Sequence, residues 1–242
     1  VPYSNSHGFE TTYNSDGMVL LNNSDCLIEE RFAQAYATSL KVGDWRGLDG
    51  SKMDMRWRFY IVLHFAESVK GLKGDFVECG VYKGGYSSAI CKYLDFGTLD
   101  KTFYLFDTFN GLDHQLVNPE EEEGDLLTIY SGYDDVVMES IENTFKDYPV
   151  KIVRGSVPDS LETVSIESIA YLSIDMNMVA PEIAAANFFW DRISPGGVMI
   201  LDDYGFHAHR QQKIAFDKFA KEKGVAILSL PTGQGIITKP FL

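Results

Sequence analysis

From Asp75 onward the chain alternates short, unbroken apolar runs with stretches whose apolar residues recur at helical spacing. Unbroken runs suit strands buried on both faces of a parallel sheet. Five stand out: Asp75 to Cys79, Phe103 to Asp107, Val150 to Arg154, Ile169 to Asp175 and Val198 to Asp203. Helices are predicted over Ser87 to Leu94, Asp134 to Phe145, Ala180 to Ile193 and Gln211 to Lys223, with Pro181 suited to a first turn. Two last runs, Val225 to Leu230 and Gly235 to Lys239, are joined by PTGQG, too short for a parallel crossover, so they are predicted to pair antiparallel. Five strand–helix units with a closing antiparallel hairpin predict an α/β, Rossmann-like sheet of seven mostly parallel strands.

The first third reads differently. Residues 1–26 show no periodicity and are rich in Asn, Ser, Tyr and Gly, as in a mobile arm or a partner-binding tail. Leu27 to Leu40 has helical spacing, with Leu27, Phe32, Ala35, Tyr36 and Leu40 near one face, and a polar connection covers Gly43 to Ser51. A second helix is predicted from Met53 to Val69, with Met53, Trp57, Tyr60, Ile61, His64 and Phe65 inward, which makes His64 a core histidine. The division expected is an arm and helical lid over 1–52 and a catalytic domain over 53–242. The acidic run PEEEEGD, between Thr108 and Ile129, reads as a solvated loop or lid.

Composition narrows the partners. The formal net charge is −14, from 35 acidic and 21 basic residues, a field that repels phosphate backbones and anionic membranes. A neutral or cationic small molecule fits better than nucleic acid or a membrane. No run reaches the roughly 18–20 apolar residues of a membrane span. The polar start lacks a secretory pattern, although the chain opens without Met, which leaves trimming open. Cys26, Cys79 and Cys91 have no metal-like spacing and read as reduced thiols. Together these predict a cytoplasmic protein, and the polar arm is compatible with exchange between subunits of a homo-oligomer.

The candidate chemistry lies where strands end. Asp175 closes one buried run, and Asp202 and Asp203 close another. Open α/β sheets bind ligands at the carboxyl ends of their strands. Three acids gathered there repel one another unless a cation or a proton intervenes, which outlines a site for Mg2+ or another divalent cation. The first strand leads into Glu78-Cys79-Gly80, then Gly84, Gly85 and Ser87, a glycine turn opening a helix. Glu78 stands where a dinucleotide fingerprint has its first glycine; it disfavours a pyrophosphate and suits an ammonium. Asp107 ends the second strand, the usual place for an acceptor of ribose hydroxyls, and Thr108 follows it. Gly155, Ser156 and Val157 follow the third strand, with room for an adenine. Glu78, Cys79, Gly80, Ser87, Asp107, Thr108, Gly155, Ser156, Val157 and Asp175 thus outline one cofactor crevice.

These motifs, DFVECGVYKGG, YLFDTFNGL, RGSVPDSL, YLSIDMN, SPGGVMILDDYGF and SLPTGQG, resemble the macrocin O-methyltransferase family over residues 52–240. Its members include enzymes that methylate sugar hydroxyls on macrolide and aminocoumarin antibiotics. The resemblance implies a class I S-adenosylmethionine-dependent fold, an N-terminal helical lid and a divalent metal held by Asp175, Asp202 and Asp203. It also implies a histidine before a Gln-Lys pair, matched by His209 with Gln212 and Lys213. One departure is Asn177, where members that methylate antibiotic sugars carry an acid proposed as general base.

The expected reaction is therefore methyl transfer to a hydroxyl of a sugar or other polyhydroxylated molecule. Asp175, Asn177 and His209 are the catalytic candidates. With Asn177 unable to take a proton, His209 is preferred over His207 or hydroxide at the metal. Arg56 and Arg58 are candidates to close over the cofactor carboxylate, or else for salt bridges. Tyr204 and Phe206 are candidates for substrate contact. Two rivals stay open: a protein of this fold that binds the cofactor without turnover, and a nicotinamide-dependent oxidoreductase.

Overall fold

The computed structural model describes residues 11–43, 45, 52–119 and 135–241. In chain order its elements begin with a hairpin, β1 (Tyr13–Ser15) and β2 (Met18–Leu20), then helices α1 (Glu30–Val42) and α2 (Arg56–Val69). The alternating part runs β3 (Asp75–Cys79), α3 (Gly85–Leu94), β4 (Phe103–Asp107), α4 (Asp135–Phe145), β5 (Val150–Arg154) and β6 (Ile169–Ile174). It continues with α5 (Val179–Trp190), β7 (Ile193–Leu201), α6 (Arg210–Lys223), β8 (Leu228–Ser229) and β9 (Gly235–Thr238).

Among the described residues, seven strands form one sheet in the order β5-β4-β3-β6-β7-β9-β8. Pairings from β5 across to β7 are parallel, and β9 is antiparallel to both β7 and β8. The order reverses between β3 and β6, the switch point where such sheets open a crevice. Every residue of β6 is buried, as a central strand covered on both faces requires. One apolar cluster, with Phe76, Phe103 and Tyr171, lies on the side of α1, α2 and α3. The other, with Phe106, Phe189 and Phe216, lies under α5 and α6.

Three expectations change. Residues 13–20, expected within a mobile arm, form the β1–β2 hairpin, and Tyr13 and Met18 are buried in the first core cluster. Tyr13 donates its hydroxyl to the Asp54 carbonyl, and Asp54 N–H donates to Ser15 Oγ at 3.0 Å, which docks the hairpin on the turn before α2. Helix α2 is rotated from the expected face: Arg58, Phe59, Val62, Leu63, Ala66 and Val69 are buried, while Trp57, Tyr60 and Ile61 are half-buried and His64 is exposed. The helix is apolar on two sides, so periodicity alone does not choose between them. His64 is thus a surface residue beside the Tyr60 ring, not a core histidine. In α1 the buried residues are Phe32, Ala35 and Ser39, and Leu40 is 48% exposed. Residues 1–10, most of the 43–51 connection and the acidic run fall outside the described residues.

Candidate active site

At the cofactor end the glycine turn is held from beneath by Asp107. Its Oδ2 accepts the backbone N–H groups of Val81 (2.7 Å) and Tyr82 (2.9 Å), and its Oδ1 accepts that of Phe109 (2.8 Å). Burial raises the Asp107 carboxyl, and these backbone donors work against the rise. A carboxylate has about four acceptor positions. With these three backbone donors, and the Thr108 hydroxyl 3.4 Å from Oδ1, the acid expected to meet a ribose also staples β3 to β4.

Glu78 lies deeper in the crevice wall. It is buried, and its Oε2 has no hydrogen-bond partner among the described residues; the same holds for Ser87 Oγ. Burial, with Asp107 and Asp202 nearby, pushes the Glu78 carboxyl up to about 8. A buried acid with an unused oxygen fits an incoming ammonium donor. Gly80 has φ +88, and a Cβ there would lie 1.8 Å from the Asp175 carbonyl oxygen. That glycine is demanded by contact between two strand ends, and it brings the cofactor turn against the acid cluster. On the third loop, Gly155 has φ +148 with Ser160 Cβ close by, Val157 is buried and Ser156 bonds Asp113. Cys79 is buried in the second core cluster and faces away from Glu78. Thr108 Oγ1 donates to the Gly111 carbonyl at 2.5 Å.

The three aspartates come together as expected. Asp175, at the end of β6, and Asp202 and Asp203, after β7, each place a carboxylate oxygen within 4.8 Å of the others. Burial and then mutual repulsion raise the carboxyls of Asp175 and Asp203 above the usual range. Asp202 is the most heavily partnered: Oδ1 accepts Tyr86 Oη (2.9 Å) and Gln234 Nε2 (3.0 Å), and Oδ2 accepts Arg58 Nη1 (2.8 Å). Arg58 Nη1 also lies 3.5 Å from Asp203 Oδ1, and its Nε donates to Asp16 Oδ2 at 2.8 Å. Burial opposes the Arg58 charge, but Asp202, Tyr86, Asp16 and Asp203 outweigh it and raise its pKa. Three carboxylates, Asp16, Asp202 and Asp203, pair with one guanidinium, and Asp175 adds a fourth acid beside Asp202 and Asp203, so the cluster remains short of positive charge and fits a divalent cation.

Arg58 stands at the acid cluster, and Arg56 pairs with Asp54 at 2.6 Å, so neither lies free to close over a cofactor. Tyr86, Gln234 and Asp16 are missed by sequence reasoning, and Arg58, expected at the cofactor carboxylate or in a salt bridge, proves to be the counter-charge of the acid cluster. The available signal was an arginine in register with Val62 and Ala66 on one helix face, which requires a buried counter-charge.

Asn177 adopts φ +59 and donates through Nδ2 to Asp175 Oδ1 at 3.2 Å. Its loop is held by Glu182 Oε1, which accepts the N–H groups of Met176 and Asn177 (both 3.0 Å) and Gln212 Nε2 (3.1 Å). His209 is buried, with Nε2 3.7 Å from Asp203 Oδ2, whereas His207 is exposed. Tyr204 is buried, with its hydroxyl between Asp217 (2.5 Å) and Lys213 (3.1 Å) on α6, turned to that helix; Phe206 is 47% exposed beside His209.

Residues 33–228 match the model of the macrocin O-methyltransferase (TylF) family. The chain belongs to the macrocin O-methyltransferase family. It is 26% identical over 163 residues to mycinamicin III 3''-O-methyltransferase of Micromonospora griseorubida, covering 61% of this chain and 63% of that one. It is 26% identical over 140 residues to demethyldecarbamoylnovobiocin O-methyltransferase of Streptomyces niveus, covering 54% and 53%. The chain thus spans less than two thirds of the length of these curated relatives. The fold matches the O-methyltransferase NovP with a TM-score of 0.71 at 18% identity, over 90% of this chain and all of that one. The sheet carries the antiparallel strand β9 beside mostly parallel ones, as the sequence predicts. No described helix is long and apolar enough to cross a membrane.

Proposed function

We propose that the protein is an S-adenosylmethionine- and divalent-metal-dependent O-methyltransferase acting on a hydroxyl of a sugar or other polyhydroxylated small molecule. The observation that carries this reading is the three-aspartate cluster, joined through the Gly80–Asp175 contact to a crevice bearing Glu78 and Asp107. The sugar class follows the name of a further relative, the 8-demethyl-8-(2,3-dimethoxy-alpha-L-rhamnosyl)-tetracenomycin-C 4'-O-methyltransferase of Streptomyces olivaceus, 26% identical over 147 residues, covering 58% of this chain and 56% of that one. A cleft of about 330 Å³ between α1 and the turn before α2, lined by Tyr36, Leu40, Trp45, Met53 and Asp54 among others, offers space for an acceptor ring. Its Trp45 stacks on Tyr86, whose hydroxyl reaches Asp202.

S-adenosylmethionine would supply the methyl group, and a divalent ion would supply Lewis-acid charge that lowers the acceptor hydroxyl pKa. Glu78 would receive the cofactor ammonium at Oε2, and Asp107 a ribose hydroxyl. Asp175, Asp202 and Asp203 would hold the ion and fix the acceptor oxygen, and such positioning can contribute roughly 7–11 kcal/mol. His209, buried at the rim beside Asp203, is better placed than exposed His207 to take the proton at an imidazole nitrogen. Asn177 orients Asp175 as a donor and takes no proton.

Asn177 also favours a second reading, cofactor binding without turnover. Calorimetry with S-adenosylmethionine, S-adenosylhomocysteine and NAD, then methyl transfer to a panel of glycosides with and without EDTA, separates the readings. Binding of neither adenosyl ligand sinks both. Binding without transfer to any acceptor leaves the second, and EDTA-insensitive transfer removes the metal from the first.

A further inference from the structure

Helix α2 carries Arg58 on its buried face, between Phe59 and Val62 on one side and the acid cluster on the other. Buried arginines persist where their donors are matched, and this guanidinium divides its donors among three aspartates. Nε faces Asp16 Oδ2 at 2.8 Å; Nη1 faces Asp202 Oδ2 at 2.8 Å, the Asp202 carbonyl at 3.2 Å and Asp203 Oδ1 at 3.5 Å. Nη2 packs over Gly233, where an added Cβ would lie 3.4 Å away. Asp16 sits at the tip of the β1–β2 hairpin, and that hairpin is docked through Tyr13 and Ser15 onto Asp54, four residues before Arg58. The side chains of Asp16 and Arg58 are 4% and 6% exposed, so neither charge is much screened by water.

We infer that the Asp16–Arg58 pair sets the cation affinity of the three-aspartate site. Arg58 is a resident counter-charge that a divalent ion must work against, and Asp16 draws part of that charge away. This rests on the metal reading above. It makes the hairpin a positioning element of the site. The signs separate it from a merely structural role. Removing the Arg58 charge tightens the ion, because one positive neighbour disappears from two of its three ligands. Removing the Asp16 charge weakens the ion, because Arg58 then answers only to Asp202 and Asp203.

Mn2+ binding to the full chain, read from the loss of the free-ion EPR signal, tests this in the wild type, Arg58→Gln, Asp16→Asn and the double variant. Expected are a Kd about tenfold lower in Arg58→Gln, about tenfold higher in Asp16→Asn and near wild type in the double variant. Thermal unfolding with and without Mn2+ should show the largest ion-induced rise in Arg58→Gln. If Arg58→Gln does not fold, Arg58→Lys takes its place: it keeps the charge and loses the fork, and its Kd is expected within about threefold of wild type while Asp16→Asn still weakens. Weaker binding in both single variants, or in Arg58→Lys as much as in Asp16→Asn, overturns the inference and assigns the pair to the fold alone. Equal affinities overturn it and leave the metal reading intact. No Mn2+ binding by any form overturns both.

Discussion

The two ends of the crevice are both acidic, yet they are built in opposite ways. At the cofactor end, Asp107 is satisfied by backbone N–H groups from Val81, Tyr82 and Phe109, all within about one strand–helix unit of it. At the other end, Asp202 is satisfied by the side chains of Arg58, Tyr86 and Gln234, drawn from α2, from α3 after the glycine turn and from the C-terminal hairpin. The first end is a local device that any sequence with the right turn can form. The second exists only when the whole chain is folded. Acids held by backbone tolerate change in distant side chains; acids held by side chains respond to it.

The sharpest test of the contrast is Asp175→Asn. It should lower kcat by about a thousandfold, the upper range for losing one electrostatic group in a closed site, with cofactor Kd little changed. Steady-state kinetics with calorimetry checks this; a comparable loss of cofactor binding would merge the two ends. Glu78→Gln comes next. A carboxyl raised to about 8 by burial favours folding most at low pH, and that contribution is lost as pH rises from the ordinary carboxylate range through about 8. The neutral amide removes the loss, so denaturant unfolding near pH 8 should show up to about 4 kcal/mol of gain, with little gain below pH 4. Cofactor affinity should fall in the same variant. Asp107→Ala strands three backbone donors, and urea unfolding should report a loss of about 3 kcal/mol together with weaker cofactor binding and unchanged Mn2+ affinity. His209→Asn should cost about a hundredfold in kcat, and His207→Asn less than twofold. Tyr86→Phe removes one hydrogen bond to Asp202 and should cost about 1 kcal/mol of stability, read by urea unfolding.

The same contrast explains what could be read from the sequence. The alternation of strands and helices, the antiparallel finish and the acids at strand ends follow from short contiguous patterns, and the seven-stranded sheet bears them out. Asp175, Asp202 and Asp203 were legible because each closes an apolar run. Their partners were not, since Arg58 and Asp202 are 144 residues apart and nothing in local spacing couples them. Two kinds of misreading have a common physical source. The wrong face of α2 and the supposed mobility of residues 13–20 both concern segments whose environment is another segment, not their own periodicity. The hairpin is only two three-residue strands, marginal by itself, and its order derives from Tyr13 and Met18 in the core.

The contact between Gly80 and the Asp175 carbonyl fixes a distance in the main chain. Donor and acceptor sites are set apart by bare backbone, with no rotamer between them to relax or be exchanged. On the proposed methyl-transfer reading, the rims of the crevice can vary in sequence and take differently shaped acceptors while the gap the methyl group must cross stays the same. In such a scaffold, specificity and reach are inherited separately.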